Sequence, residues 1–166
     1  MASNSTEATV KLQTLDDQTF EIPVRIAKMS LTLADMLESK HVTGISTMKV
    51  EVNAKIMAMI ISWCEYHIAN PTPEVDEDKK DEKRLDDIIP WDQEFCKVSN
   101  LILLELAHVS NYLLIDELFQ LACKSLAILI KGKSVEEIRT VLNVVNDLSP
   151  EEEERIRKET EWCIDK

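Results

Sequence analysis

The sequence predicts an α+β domain continued by a helical tail, and three observations carry that reading. Near the N-terminus, apolar residues alternate at period two: Val10 and Leu12, then Phe20 and Ile22. This is the pattern of strands with one buried face. From "WDQEF" onward, apolar residues recur at helical spacing to the end of the chain. Between the two regions the composition shifts at Asn70, where "NPTPEVDEDKKDEKRLDDIIP" opens and closes on proline.

Taken in order, the first few residues read as a frayed tail. "TVKLQTLDDQTFEIP" reads as a hairpin turning at Asp16-Asp17. In "RIAKMSLTLADMLES", Ile26 and Met29 make one short apolar turn. Ser30 can then cap a helical stretch carrying Leu33, Met36 and Leu37. "MKVEV" is a third strand. Asn53 is placed to cap a helix running to about His67, with Ile56, Met57, Ile60, Ile61 and Cys64 on a broad apolar face.

The segment from Glu74 to Asp87 holds eight acids against four bases and few apolar groups, so it is expected to be a solvated loop. "WDQEFCKV" follows as a short amphipathic turn or helix. "NLILLELAHVSNYL" and "IDELFQLACKSLAILIKG" are long apolar helices, with Gly132 placed as the residue just past the second. "KSVEEIRTVLNV" opens on a capping box, Ser134 with Glu137, and presents Ile138, Val141, Leu142 and Val145. The closing helix opens on another, Ser149 with Glu152, with Pro150 at its first position. Glu151–Arg155, Glu153–Arg157 and Glu154–Lys158 stand in the favourable i,i+4 order. Its apolar content is sparse. Trp162 lies about 120° around the helix from Ile156, off any inward stripe.

The chain has 166 residues and a net charge of −12. Such a balance disfavours phosphate backbones and anionic membrane surfaces, so neither nucleic acid nor membrane is an expected partner. The N-terminus lacks the basic and apolar regions of a signal peptide, and no apolar run approaches membrane-spanning length. A soluble intracellular protein, cytoplasmic and nuclear, is expected. The basic pairs Lys79-Lys80 and Lys83-Arg84 are diluted by acids and make no nuclear signal. Cys64 and Cys123 sit within apolar helical patterns, where buried, reduced thiols are expected.

Catalytic constellations do not emerge. With only Gly44 and Gly132 there is no phosphate-binding loop, and no serine stands in a nucleophile elbow. Cys64 and His67 form a Cys-x-x-His pair, but no second pair has suitable spacing, so a packed cysteine and a helix-end histidine are expected. His108 looks like the one buried histidine, and reads as a satisfied core residue before it reads as a base. The acidic segment lacks the calcium-loop register. No cofactor and no metal is expected, and this chain is not expected to be an enzyme. What remains is surface. Leu142, Val144, Val145 and Trp162 either fold back on the chain's own core or pack on a partner.

"KRLDDIIPWDQEF", "NYLLIDEL", "IKGKSVEEIR" and "NDLSPEEEERIRKETEWC" together resemble the S-phase-kinase-associated (Skp-type) adaptor family of SCF ubiquitin ligases. The resemblance runs from Val10 to Lys166. It implies a flexible tail over 1–8, a BTB/POZ domain over 9–131 with the acidic loop at about 70–90, and a two-helix F-box-binding extension over 132–166. It implies an adaptor joining a cullin to F-box substrate receptors, with no reaction on the adaptor itself. Carried over by residue, Asn111 and Tyr112 match the cullin-facing pair. Leu104, Phe119, Cys123, Ile138, Leu142, Val144 and Trp162 would face the F-box. Leu104, Leu142 and Leu148 stand where the family commonly has phenylalanine, and His108 and Ser110 where it usually has apolar residues. The second reading is a BTB scaffold outside any ligase, in which the BTB surface could make a homodimer.

Overall fold

The computed structural model describes residues 8–39, 47–71 and 88–163. The expected N-terminal tail and most of the acidic loop lie outside these residues. The chain divides into two compact units, Met1–Lys131 and Gly132–Lys166.

In the first unit, β1 (Thr9–Gln13) pairs antiparallel with β2 (Thr19–Pro23) and parallel with β3 (Thr47–Lys49), in the order β2-β1-β3. The alternation read from sequence sets the register: Val10 lies opposite Ile22, and Leu12 lies between Phe20 and Met48. Val10, Leu12, Ile22 and Met48 are buried. Asp17 turns the hairpin in the left-handed region at φ 57°, a conformation that aspartate tolerates better than most residues. The third strand is shorter than "MKVEV" suggests. Beyond Lys49, backbone bonds from Val50 to Gln13 and from Leu15 to Val52 carry the contact on without regular pairing.

Helix α1 (Val24–Ala27) is one turn, and α2 (Leu31–Ser39) starts where Ser30 accepts the Leu33 N–H at 3.1 Å. Helix α3 (Ala54–Ala69) buries Ile56, Met57, Ile60, Trp63 and Cys64. Its cap corrects the expectation at Asn53, whose side chain makes no capping bond and donates instead to Glu105 at 2.7 Å. The first-turn donor Ala54 N–H is met by Asp16 of the hairpin turn at 3.0 Å, so a residue distant in sequence does the capping. Helix α4 (Pro90–Phe95) begins on proline, which suits a first helical position.

Helices α5 (Asn100–Tyr112) and α6 (Asp116–Ile130) pack on each other as a helical hairpin. Leu103, Leu106, Ala107 and Val109 of the one and Leu118, Leu121 and Ala122 of the other enter the core. Gly132 follows α6 at φ 73°, as its expected place past the helix requires.

The second unit holds α7 (Val135–Leu142), α8 (Pro150–Thr160) and a closing 3-10 turn, Glu161–Cys163. Both expected capping boxes form. Ser134 and Glu137 exchange bonds of 3.2 and 2.7 Å, and Ser149 and Glu152 bonds of 3.3 and 3.0 Å. Asn143 ends α7 in the left-handed region at φ 53°. Of the three ion pairs expected along α8, Glu154–Lys158 forms at 3.6 Å. Glu153 reaches across to Arg139 of α7 at 3.2 Å, and Arg157 pairs with Glu154.

Candidate functional site

Two surfaces stand out, one on each unit. On the first unit, the α5–α6 turn is tied to the start of α2. The Ser30 hydroxyl donates to the Leu113 carbonyl at 2.5 Å, and the Thr32 hydroxyl to the Tyr112 carbonyl at 2.9 Å. The Leu31 N–H points at the Leu114 carbonyl at 3.5 Å. These bonds bring Asn111 and Tyr112, both exposed, to the edge of an apolar patch completed by Leu31 and Leu114. Leu31 is 58% exposed and Leu114 45%. Reading the sequence missed both. Leu31 reads as an ordinary helix-start residue, and only the fold carries it to the turn.

Nearby, a buried polar node holds α4 against α3. Asp92 accepts from the Trp63 indole N–H at 3.1 Å and meets His67 Nε2 at 3.0 Å through the same carboxylate oxygen. Tyr66 stacks on Trp91 with ring centroids 3.9 Å apart, and Trp91 stacks on Phe95. The Cys64–His67 pair is thereby split. His67 turns to Asp92, while Cys64 is buried in the core, where desolvation pushes its thiol up to about 12. Such a thiol stays protonated and is a poor metal ligand. Among the described residues no group of three or more histidine, cysteine or acidic side chains could hold a metal ion.

The histidine reading needs correction: His108 is exposed on α5, and His67 is the enclosed one, its side chain only 8% exposed. Ser110 is fully buried, its hydroxyl bonded to the Ala107 carbonyl at 3.0 Å, so it cannot meet a partner directly. Cys123 is exposed rather than buried. It lies five residues past the fully buried Leu118, hence about 140° around the helix on the outer side.

Of the expected F-box residues, the first unit carries three. Leu104 on α5 is half-buried. Phe119, half-buried, and Cys123 stand one turn apart on α6. The second unit carries four. Ile138 and Leu142 are half-buried, while Val144 and Trp162 are exposed, Trp162 at 84%. Val145 is 82% exposed. Of the second unit's described side chains none is buried. An open groove of about 530 Å³ is lined by Arg139, Val144, Val145, Glu153 and Arg157, among others. The bond from the Ser149 backbone N–H, then that from its hydroxyl, holds the Glu152 carboxyl below its ordinary value. Glu136 is lowered chiefly by its own backbone N–H and then by Ser134. These acids serve helix starts, not proton transfer.

Two family models match the chain. One, described as the Skp1 family tetramerisation domain, covers residues 8–69; the other, the Skp1 family dimerisation domain, covers residues 116–163. Among curated relatives, the "SCF ubiquitin ligase complex protein" SKP1b of Dictyostelium discoideum is 46% identical over 157 residues, spanning 95% of this chain and 96% of its own. SKP1a of the same organism matches to the same extent. A "Skp1-related protein" of Caenorhabditis elegans is 41% identical over 165 residues, spanning 96% of this chain and 93% of its own.

Proposed function

The chain belongs to the Skp1 family, and on that premise we propose that it is the adaptor of an SCF-type cullin–RING ubiquitin ligase, bridging a cullin to F-box substrate receptors. The observation that carries this reading is the second unit. It has well-capped helices, no buried side chain among its described residues and a set of outward apolar residues ending in Trp162. Helices this short gain their stability from packing, so a unit built this way suits a partner's apolar surface. F-box contact is assigned to Leu104, Phe119, Cys123, Ile138, Leu142, Val144 and Trp162. The cullin is assigned to the face around Asn111 and Tyr112. The adaptor performs no ubiquitin chemistry, which falls to the RING subunit and the conjugating enzyme it recruits.

A second reading has the BTB surface joining copies of this chain outside a ligase. The description of the model that matches residues 8–69, as a tetramerisation domain, favours keeping it. Pull-down with a purified cullin N-terminal domain and an F-box peptide separates the two. The adaptor reading expects wild type to bind both, Tyr112→Lys to lose only the cullin, and Trp162→Ala to lose only the F-box. Binding of the F-box with no cullin would support the scaffold instead.

A further inference from the structure

Leu114 is doubly unfavourable where it stands. Its backbone is left-handed at φ 53°, a conformation that costs a leucine energy and a glycine none. Its side chain is also left substantially in water, so burial does not compensate. The left-handed turn itself ends α5, with the Leu114 N–H bonded to the Asn111 carbonyl at 3.1 Å and the Ile115 N–H to the Ser110 carbonyl at 2.9 Å. The fold therefore needs the turn but not a leucine in it, and an exposed leucine there points to a surface that meets a partner. Leu31 faces the same region, also exposed, and its segment is fixed to the turn by the bonds from Ser30 and Thr32. Between them a cleft of about 290 Å³ is lined by Met29, Leu31, Trp63, Leu114 and Ile115, with Asp116 and Glu117 at its edge. Both acids are exposed, and neither makes an ion pair with another described residue.

We propose that this cleft is an anchor pocket beside the Asn111–Tyr112 pair. It receives one large apolar side chain from a cullin helix that also presents lysine or arginine to Asp116 and Glu117. The proposal rests on the adaptor reading and deepens it, by naming the residues that choose among cullins. The apolar cleft supplies the anchor, since a preformed pocket binds without ordering cost. The acidic edge discriminates, because a partner with acids at the same place would be repelled.

The test measures affinity for a purified cullin N-terminal domain by calorimetry at low and high salt, with F-box peptide binding as the control. Leu114→Gly removes the side chain and relieves the backbone, so the variant stays folded with a melting temperature no lower than wild type. It is expected to lose about tenfold or more in cullin affinity and nothing in F-box affinity. Leu31→Ser, on a surface position, is expected to behave likewise. Asp116→Asn with Glu117→Gln is expected to weaken binding at low salt and flatten its salt dependence. If both leucine variants bind like wild type while Tyr112→Lys still loses the cullin, the pocket is wrong and the adaptor reading stands. Unchanged salt dependence in the neutralised variant refutes the basic partner. Failure of wild type to bind the cullin, with F-box binding intact, overturns both.

Discussion

The hydroxyl of Ser30 donates to the carbonyl of Leu113 at 2.5 Å, across 83 residues of sequence. The same oxygen accepts the Leu33 N–H, so one buried serine both caps α2 and holds the α5–α6 turn. Replacing it with alanine strips a partner from two buried backbone groups. Unsatisfied buried groups cost about 1–3 kcal/mol each, of which the weaker Thr32 N–H contact to Leu113 offsets part. Ser30→Ala is therefore expected to lower stability by about 2 kcal/mol in urea denaturation. It should also weaken cullin binding, because the patch around Tyr112 loses its fixed frame. A variant as stable as wild type would show that the turn is held by other means.

Trp162 presents the opposite case. At 84% exposure its indole contributes little burial to this chain. Trp162→Ala is expected to melt within a degree or two of wild type, since exposed truncations shift stability by only about 0.5 kcal/mol. Affinity for an F-box peptide should nevertheless fall by about 2 kcal/mol or more, the usual size of an aromatic anchor's loss. A large drop in melting temperature with unchanged affinity would assign the tryptophan to the fold and not to the partner.

Those two residues also mark how far the sequence could be read. Period-two alternation placed β1 and β2 correctly, because Val10, Leu12 and Ile22 share one buried face. The capping boxes at Ser134 and Ser149 were legible because every atom involved lies within four residues. Asn53 misled for the converse reason: the group that meets Ala54 N–H belongs to Asp16, brought there by the hairpin. His108 and Cys123 misled because helices as apolar as α5 and α6 hide which face points inward. The patch of Leu31 and Leu114 was invisible, since it exists only once α2 meets the α5–α6 turn. Trp162 stood out because an aromatic residue off the inward stripe of a charged helix has no local reason to be there.

The thiols offer a direct readout of these placements. Cys64 is buried with its thiol pushed up to about 12 by desolvation first and Glu65 second, whereas Cys123 is exposed. Thiolate fraction and access both govern alkylation. In native buffer at mildly alkaline pH, iodoacetamide should modify Cys123 quickly and Cys64 only at the rate of global unfolding. Peptide mapping by mass spectrometry distinguishes the sites. A bound F-box peptide should protect Cys123 and leave Cys64 unaffected, if the α6 face is the contact assigned to it.

Acid should dismantle the second unit by way of its caps. The folded-state pKa values of Glu136 and Glu152 lie below their ordinary 4.5. For a depressed carboxylate, the folded state binds fewer protons than the unfolded one. Its stabilising contribution is thus fully present above the unfolded value and is lost as pH falls through the folded one. Stability should hold above about pH 5 and decline below 4.5, with helical content of α7 and α8 falling early, since neither helix has a buried side chain to retain it. Asp16 follows the same sign, lowered chiefly by the Thr14 hydroxyl bond and also by the Ala54 N–H, so the start of α3 loosens in the same direction. Circular dichroism through an acid titration checks the decline. Glu152→Gln separates the cause, because glutamine can keep the reciprocal cap but does not titrate. It should flatten the acid limb for α8 without abolishing the helix, and an unchanged limb would mean that the charge at this cap is not what acid removes.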